Sequence, residues 1–383
     1  MQALLIGKGW FPEEPGGLNR YFYDCVNALP EAGVEVQGLV AGSDQGLPES
    51  NHRVQAFAQP QDSIWARWAG VRRAMAQTLD QQHPTVVVSH FSLYTFPVLS
   101  QLGDYPLVVH FHGPWALEGQ AEGGNAVATQ VKKWLEQVCY RRAVTFIVLS
   151  KAFQEILHRE YGIPLGQIHI VPGGVCVEHF DINLSPLEAR QILGWQPEAP
   201  TFVAVRRLAH RMGLENLIEA IAQVRQQHPT VQLKLVGKGT LQESLLTMIH
   251  DLDLINNVEL LGYIPDKKLP LIYRAADCSV MPTITLEGFG LSIVESLAAG
   301  TPVLGTKVGG IPEILAPLSP QLMLAGATPE QLASGLESVI SGTRILPSAD
   351  ECQAYVYQHF DWPIVAQKLQ NIYADAAKGA LVL

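Results

Sequence analysis

Short, continuously apolar runs alternate along the chain with longer segments whose apolar residues recur every three or four positions. The runs predict buried strands, and the periodic segments predict helices with one face in a core. Strands apolar on both faces, with helices between them, indicate a parallel sheet covered on both sides. In the first half, strands are predicted at 3–6, 34–40, 86–90, 107–112, 145–149 and 168–171, and helices at 18–29, 63–82, 94–102, 128–142 and 151–161.

The second half repeats this alternation. Its predicted strands are 202–205, 232–236, 258–261, 278–281 and 303–305, with helices that include 214–227 and 241–252. Two α/β halves of similar size predict two Rossmann-like, doubly wound domains that face each other across a cleft. The polar, proline-containing segment 181–200 is interpreted as the linker, so we place the domain boundary between 182 and 183.

The tail predicts one more helix. Asp361 can cap a helix that has Pro363 in its first turn. That helix, at about 362–378, carries apolar residues at helical spacing: Ile364, Val365, Leu369 and Ile372.

Composition narrows the class of protein. The chain has 383 residues, 48% of them hydrophobic, which is ample for two domains. The net charge is −10, which argues against a partner that is duplex nucleic acid. Five scattered cysteines without a Cys-x-x-Cys disfavour a disulfide framework or a zinc site and fit a reducing cytoplasm. We expect no signal peptide, and no apolar run is long enough to span a bilayer.

The most informative stretch is 281–315, which predicts strand, loop, helix, strand, loop and helix. A helix amino end has unpaired N–H groups and a partial positive charge, and glycines before it let phosphate oxygens approach. Gly288 and Gly290 precede a predicted helix at 291–299, where Glu295 could accept two bonds from a ribose diol. The stretch therefore predicts a nucleoside diphosphate site. A turn glycine with a solvated glutamate is the alternative for Gly-x-Gly alone.

The full stretch resembles the Glu-x7-Glu signature of retaining glycosyltransferase family 4, with Glu287 and Glu295 as its two acids. The Gly-Phe-Gly at 288–290, the Glu-Ser-Leu-Ala-Ala-Gly-Thr-Pro-Val at 295–303 and the Gly-Gly-Ile-Pro-Glu at 309–313 also fit that family. The resemblance implies a GT-B fold and transfer of a sugar from a nucleotide sugar to a hydroxyl, with retention of configuration. It also implies an acceptor-side domain at 1–182, a nucleotide-sugar-binding domain at 183–361, and a tail, 362–383, that packs back on the first domain.

Roles in the second half follow from the resemblance. Glu295 would hold the ribose, and Glu287 would hold the donor sugar with amides near Phe289 and Leu291. Arg207 and the helix start at Gly290 would stabilise the leaving diphosphate.

Two further loops match the family. Gly237 lies in a Gly-x-Gly after the second strand of this half, and Ile264 lies in a loop whose backbone would hold the base. The family's Arg-Leu-x-x-x-Lys-Gly is matched at Arg207 but has Met212 in place of the lysine, and Arg211 is the predicted substitute.

In the first half, the loop at Gly16-Gly17 resembles the one that faces the donor diphosphate, and it lacks the Gly-x-Gly-x-x-Gly of dinucleotide folds. His112, where the strand 107–112 ends, resembles the acceptor-side histidine. A turn needing positive φ and a structural histidine are the alternatives. The predicted catalytic set is thus Glu287, His112 and Arg207, with front-face attack and no protein nucleophile.

Family frequency favours UDP-glucose as donor, and a saccharide or lipid-linked hydroxyl as acceptor, in polysaccharide or glycoconjugate synthesis. The resemblance implies no cofactor and no metal, because this fold type usually needs none. Asp251-Leu252-Asp253 looks like a metal-binding Asp-x-Asp, but it lies near a predicted helix end without a partner cluster and is interpreted as solvated surface. Two alternatives stay open: a sugar-nucleotide epimerase or phosphorylase on the same fold, and a catalytically weak binding protein, given Met212.

The segment 130–142 combines four basic residues with Trp134 and Tyr140. It has two interpretations, an interfacial helix at the inner membrane face or an ordinary surface helix.

Overall fold

A computed structural model describes residues 1–43 and 50–380, and these form two compact units. Unit 1 comprises 1–174 and the segment that begins at Trp362, and unit 2 comprises 175–361. The boundary lies before the predicted one at 182. Val175 forms a parallel bridge with Asp361 and donates its N–H to the carbonyl of Phe360 at 2.9 Å, so backbone pairing ties the chain to unit 2 from there.

Unit 1 is built on a parallel sheet of seven strands within the described residues, in the order β3-β2-β1-β4-β5-β6-β7. The order reverses between β1 and β4. The sequence pattern missed β3, an edge strand whose side chains are mostly part-exposed. The strands are β1 Gln2–Gly9, β2 Glu35–Ala41, β3 Val54–Ala58, β4 Val86–Ser89, β5 Leu107–Phe111, β6 Thr145–Val148 and β7 Ile168–Ile170.

Helices cover both faces of this sheet. One apolar cluster joins α1 to the strands, and another joins α2, α5 and α6 to the opposite face. The helix predicted at 94–102 is instead the short α3 followed by a 3-10 segment, Phe96–Gln101, with Pro97 near its start. The helices are α1 Gly17–Ala28, α2 Ile64–Gln81, α3 Ser92–Thr95, α4 Trp115–Ala121, α5 Ala126–Arg142 and α6 Lys151–Tyr161.

Unit 2 repeats the doubly wound plan with a parallel sheet in the order β10-β9-β8-β11-β12, which reverses between β8 and β11. Its strands are β8 Thr201–Val205, β9 Gln232–Val236, β10 Val258–Gly262, β11 Cys278–Met281 and β12 Val303–Gly305. Its helices are α7 Val177–Phe180, α8 Pro186–Leu193, α9 Leu214–Val224, α10 Gln242–Asp251, α11 Leu269–Ala275, α12 Leu291–Ala298, α13 Ile311–Leu318, α14 Pro329–Ile340 and α15 Ala349–His359.

The last helix, α16 Trp362–Ala380, belongs to unit 1. Its buried residues, including Val365 and Leu369, join the cluster formed by α1 and the sheet. The Tyr373 hydroxyl lies 2.7 Å from Nε2 of His110 on β5. Of the helices within 1–43 and 50–380, none has the length and hydrophobicity that crossing a membrane requires.

One buried acid of unit 1 sets an expected pH dependence of stability. Glu136 on α5 is 1% exposed and accepts hydrogen bonds from the Trp115 amide at 3.0 Å and the Tyr161 hydroxyl at 2.8 Å. Burial raises the pKa of Glu136 to about 7. Between its unfolded pKa, near 4.5, and about 7, the folded chain keeps a proton that the unfolded chain has lost.

Stability should therefore fall as pH rises through this window. Glu136→Gln carries no ionisable group at this position, so it should not show this loss. The difference in free energy of unfolding, variant minus wild type, should therefore increase by an amount on the order of 3 kcal/mol from pH 4.5 to 7.5. Urea unfolding across this pH range measures the difference. The matched control, Glu155→Gln, changes an exposed acid of α6 and should track the wild type. Parallel pH profiles for Glu136→Gln and wild type would contradict the prediction.

Candidate active site

The candidate site of unit 2 lies where strand order reverses, at the carboxyl ends of β8 and β11, the place where open α/β sheets bind ligands. Loops there approach backbone to backbone. A Cβ on Gly237 would lie 1.9 Å from the carbonyl oxygen of Arg206, and a Cβ on Gly309 would lie 1.8 Å from that of Glu287. Only glycine permits such contact, so these glycines set the positions of the loops that carry the charged residues.

Arg206 and Glu287 meet across this reversal. Nη2 of Arg206, which follows β8, lies 2.5 Å from Oε2 of Glu287 and 3.0 Å from Oγ1 of Thr283, in the loop after β11. The two charged side chains are 6% and 12% exposed. A buried ion pair with additional hydrogen bonds fixes both partners in position. Glu287 therefore has a defined orientation before any ligand binds.

The same guanidinium lies at the end of the Met212 side chain. Nη2 of Arg206 is 2.6 Å from Sδ of Met212, and Nη1 is 3.0 Å from Sδ of Met281. A cation thus lies beside the position where the family motif has lysine, although it is supplied from the end of β8. The sequence signal was the pair Arg206-Arg207 directly after a strand, and the motif match drew attention to the second residue only.

The two predicted arginines take different positions. Arg207 is exposed. Arg211 is 9% exposed, and its Nη1 donates to the carbonyl of Leu286 at 2.8 Å, while its own carbonyl accepts from the amide of Ile284 at 2.9 Å. Arg211 therefore supports the loop that carries Glu287, and Arg206 is the arginine that contacts this acid directly.

The amino end of α12 presents backbone N–H groups near this pair. Gly290 is the N-cap residue in a left-handed conformation, φ +97°, and within the described chain no side chain caps the helix. Gly288, Phe289 and Gly290 are buried, whereas Leu291 is part-exposed. A helix start of this kind suits an anion.

Glu295 lies one turn further along α12, on the same face as Leu291. The hydroxyl of Tyr273, on α11, donates to Oε2 of Glu295 at 2.9 Å, and Tyr273 itself is 1% exposed. This bond restrains the carboxylate, which suits a residue that accepts hydrogen bonds from two neighbouring hydroxyls.

The loops after β9 and β10 also lie side by side. The amide of Gly237 donates to the carbonyl of Gly262 at 2.8 Å, and Nζ of Lys238 lies 5.8 Å from the centre of the Tyr263 ring. The structure thereby brings the predicted donor-binding residues Gly237 and Ile264 onto adjacent loops at the edge of the sheet where Arg206 lies.

In unit 1, the predicted residues lie at the start of α1 and the end of β5. Gly16 is the N-cap of α1 with φ +146°, and both Gly16 and Gly17 are exposed. Tyr21, one turn into α1, packs its ring 4.9 Å from that of His112. The helix that begins at the glycine pair and the predicted histidine are therefore neighbours.

His112 belongs to a cluster of neutral imidazoles. Its Nε2 lies 3.0 Å from Nδ1 of His90, which follows the adjacent strand β4. Burial lowers the pKa of His112 to about 3, and burial together with the neighbouring histidines lowers the pKa of His90 well below its usual value. His112 is thus neutral at neutral pH and held by His90, a partner that the sequence did not indicate.

His90, His110 and His112 also form a set of potential metal ligands among the described residues. Their rings are stacked, with interplanar angles of 19° to 24°. The contact between His90 and His112 shows that a hydrogen bond between the two rings positions His112.

Comparisons with known proteins agree with this geometry. The family model "Glycosyl transferases group 1" matches residues 187–359, and "Glycosyltransferase Family 4" matches 15–179. The chain is 24% identical to an uncharacterized glycosyltransferase of Methanocaldococcus jannaschii, covering 98% of each chain. It is 29% identical to a D-inositol 3-phosphate glycosyltransferase of Segniliparus rotundus, covering 91% of this chain and 77% of that one.

Among solved structures, HepE of Anabaena in complex with UDP and glucose superposes with a TM-score of 0.80 at 22% sequence identity. The superposition covers 98% of this chain and 100% of the HepE chain. This likeness confirms the predicted fold class, an α/β fold of two Rossmann-like domains.

Proposed function

Because this chain belongs to glycosyltransferase family 4, the group 1 glycosyltransferases with the GT-B fold, we propose that it is a retaining hexosyltransferase. The donor is UDP-glucose or another UDP-sugar, and the acceptor is a hydroxyl of a saccharide or of a lipid-linked saccharide. The observation that carries the proposal is the ion pair of Arg206 and Glu287 beside the open amino end of α12. HepE, a structural neighbour, has been crystallised with UDP-glucose.

The diphosphate would bind at the amino end of α12, with Arg206 and Arg207 on its flank. As the bond between the anomeric carbon and the phosphate breaks, negative charge develops on the departing oxygen. Fixed amides and guanidinium groups stabilise that charge without having to reorganise. These groups supply the positive charge that a metal ion would otherwise supply.

Retention would follow from attack on the face from which the diphosphate leaves. The acceptor oxygen bonds to the anomeric carbon, and the leaving phosphate oxygen takes the acceptor's proton, so charge and atoms balance without a protein nucleophile. Glu287, held by Arg206, would accept hydrogen bonds from the sugar hydroxyls. Neutral His112 would hydrogen-bond on the acceptor side without adding charge.

The proposal predicts selective stabilisation by uridine nucleotides. A ligand that binds only the native state raises the unfolding temperature. UDP and UDP-glucose should raise the melting temperature, whereas ADP at the same concentration, the control, should have a smaller effect.

Proton NMR of the product formed from UDP-glucose then reads the anomeric configuration, which should be α. A β-configured product would contradict retention. Absence of stabilisation by every nucleotide sugar tested would contradict the donor site.

A further inference from the structure

An exposed apolar stripe runs along α5. Val127, Val131 and Trp134 are 71%, 53% and 53% exposed. Their spacing of four and then three residues places them on one face of the helix. Another face of the helix, with Leu135 and Cys139, is buried in the core of unit 1. The exposed stripe is thus a second apolar face on a helix that already has a buried one.

The stripe continues into a ridge of aromatic rings. The Phe96 ring lies 5.3 Å from that of Trp134 and 5.5 Å from that of Trp68, and Trp68 lies 5.4 Å from Trp65 on α2. Trp65 is 71% exposed. We call Trp65, Trp68, Phe96 and Trp134 the aromatic ridge. Trp68 and Phe96 are part-buried against the core of unit 1 and connect the exposed rings of Trp65 and Trp134. Contiguous apolar surface marks interaction sites, whereas scattered single residues do not.

The two helices that carry the exposed tryptophans are basic. The helix α2 contributes three arginines against one acid, Asp80, and α5 contributes four basic residues against one acid, Glu136. Glu136 is buried, and its raised pKa leaves it partly protonated at neutral pH. The whole chain has a net charge of −10, so the two helices that carry the exposed tryptophans depart in sign from the rest of the protein.

Some of these cations have partners in unit 1, and others are exposed. Lys132 lies over the Trp115 ring with Nζ 4.9 Å from its centre, Lys133 pairs with Glu160 at 3.2 Å, and Arg67 donates to the Tyr94 hydroxyl at 2.7 Å. Arg73 and Arg141 are exposed. Arg73 and Arg141 thus offer exposed positive charge on the two helices that carry the exposed tryptophans.

We propose that the aromatic ridge and the α5 stripe form a membrane-contact face that lies in the headgroup region of an anionic bilayer. Indole rings favour that depth because one edge is apolar and the other is polar, and surrounding basic groups attract anionic headgroups. A second copy of this chain is a less suitable occupant, because two such basic surfaces would repel each other. The proposal concerns a surface separate from the donor site and stands whether or not the proposed reaction is correct.

The test uses the full chain with vesicles of phosphatidylcholine alone and of phosphatidylcholine mixed with phosphatidylglycerol. We expect co-sedimentation with the anionic vesicles only, weakened by added salt. Trp65→Ser with Trp134→Ser, and separately Arg73→Glu with Arg141→Glu, should each weaken binding at least tenfold. The matched control, Ile345→Ser with Tyr357→Ser, changes residues that are 80% and 63% exposed in unit 2 and should bind as the wild type does.

Thermal unfolding measures whether each variant is folded. We expect all of them to fold, because all the changed side chains are exposed. Equal binding to neutral vesicles, no binding to either vesicle, or unchanged binding of the tryptophan variant would overturn the proposal. So would a dimer in light scattering that becomes a monomer in the tryptophan variant, because the ridge would then be a self-association face.

Discussion

Replacing Arg206 by alanine is expected to lower kcat by about two to three orders of magnitude, the usual cost of removing one preorganised group that stabilises developing negative charge. Arg206 is the buried cation that contacts Glu287 and reaches the end of the Met212 side chain. Its loss would leave the acid unpaired and remove positive charge from beside the leaving diphosphate.

A destabilised fold could lower activity too, since breaking a buried ion pair is itself costly. Met212→Lys added to Arg206→Ala separates the two causes. The new ammonium would occupy the space that the guanidinium vacates and face both the acid and the diphosphate. We expect the double variant to recover at least tenfold in kcat over Arg206→Ala, whereas Met212→Lys alone should gain nothing, because two cations would then crowd one carboxylate.

Steady-state kinetics with UDP-glucose, alongside melting temperatures, measures these effects. If Arg206→Ala keeps the turnover of the wild type, Arg206 is only structural and the positive charge comes from elsewhere, with Arg207 the first candidate. If the double variant regains its melting temperature without regaining turnover, the cation at this position stabilises the fold and not the reaction.

Arg206 also illustrates how far sequence patterns reach. The continuous apolar runs of β1, β5 and β8 identify central strands, because burial on both faces demands apolar residues at every position. The edge strand β3 is mostly part-exposed and does not need apolar residues at every position, so its composition does not distinguish it from a loop.

The candidate site also contains features that the sequence predicts and features that it does not. The positions of Glu287 and Glu295 follow from their spacing around one helix start, and such spacing is visible in the sequence. The contact of Arg206 with Glu287 joins positions 81 residues apart, and that of His90 with His112 joins the ends of two strands. Such contacts depend on strand order and on the direction in which a side chain leaves its strand. A motif match constrains neither, so it identified Arg207 and gave no indication that Arg206 contacts Glu287.

Replacing Glu295 by alanine is expected to weaken the binding of UDP and of UDP-glucose to the same extent, by about tenfold to a hundredfold in affinity. Hydrogen bonds to a charged group contribute roughly 1.5–3 kcal/mol, and both ligands carry the ribose. Tyr273→Phe keeps the carboxylate and removes only the bond that restrains it at 2.9 Å, so its loss in affinity should be smaller, under about tenfold.

Glu287→Gln provides the opposite pattern. It retains a hydrogen-bond acceptor for Arg206. Because Glu287 is the acid proposed to hold the donor sugar, UDP affinity should stay close to that of the wild type while turnover of UDP-glucose falls. Titration calorimetry with UDP and with UDP-glucose measures both affinities. An alanine at 295 that leaves UDP affinity unchanged would show that the ribose binds elsewhere. If Glu295→Ala weakens the binding of UDP-glucose but not that of UDP, Glu295 binds the sugar and not the nucleotide, and the roles proposed for the two acids are exchanged.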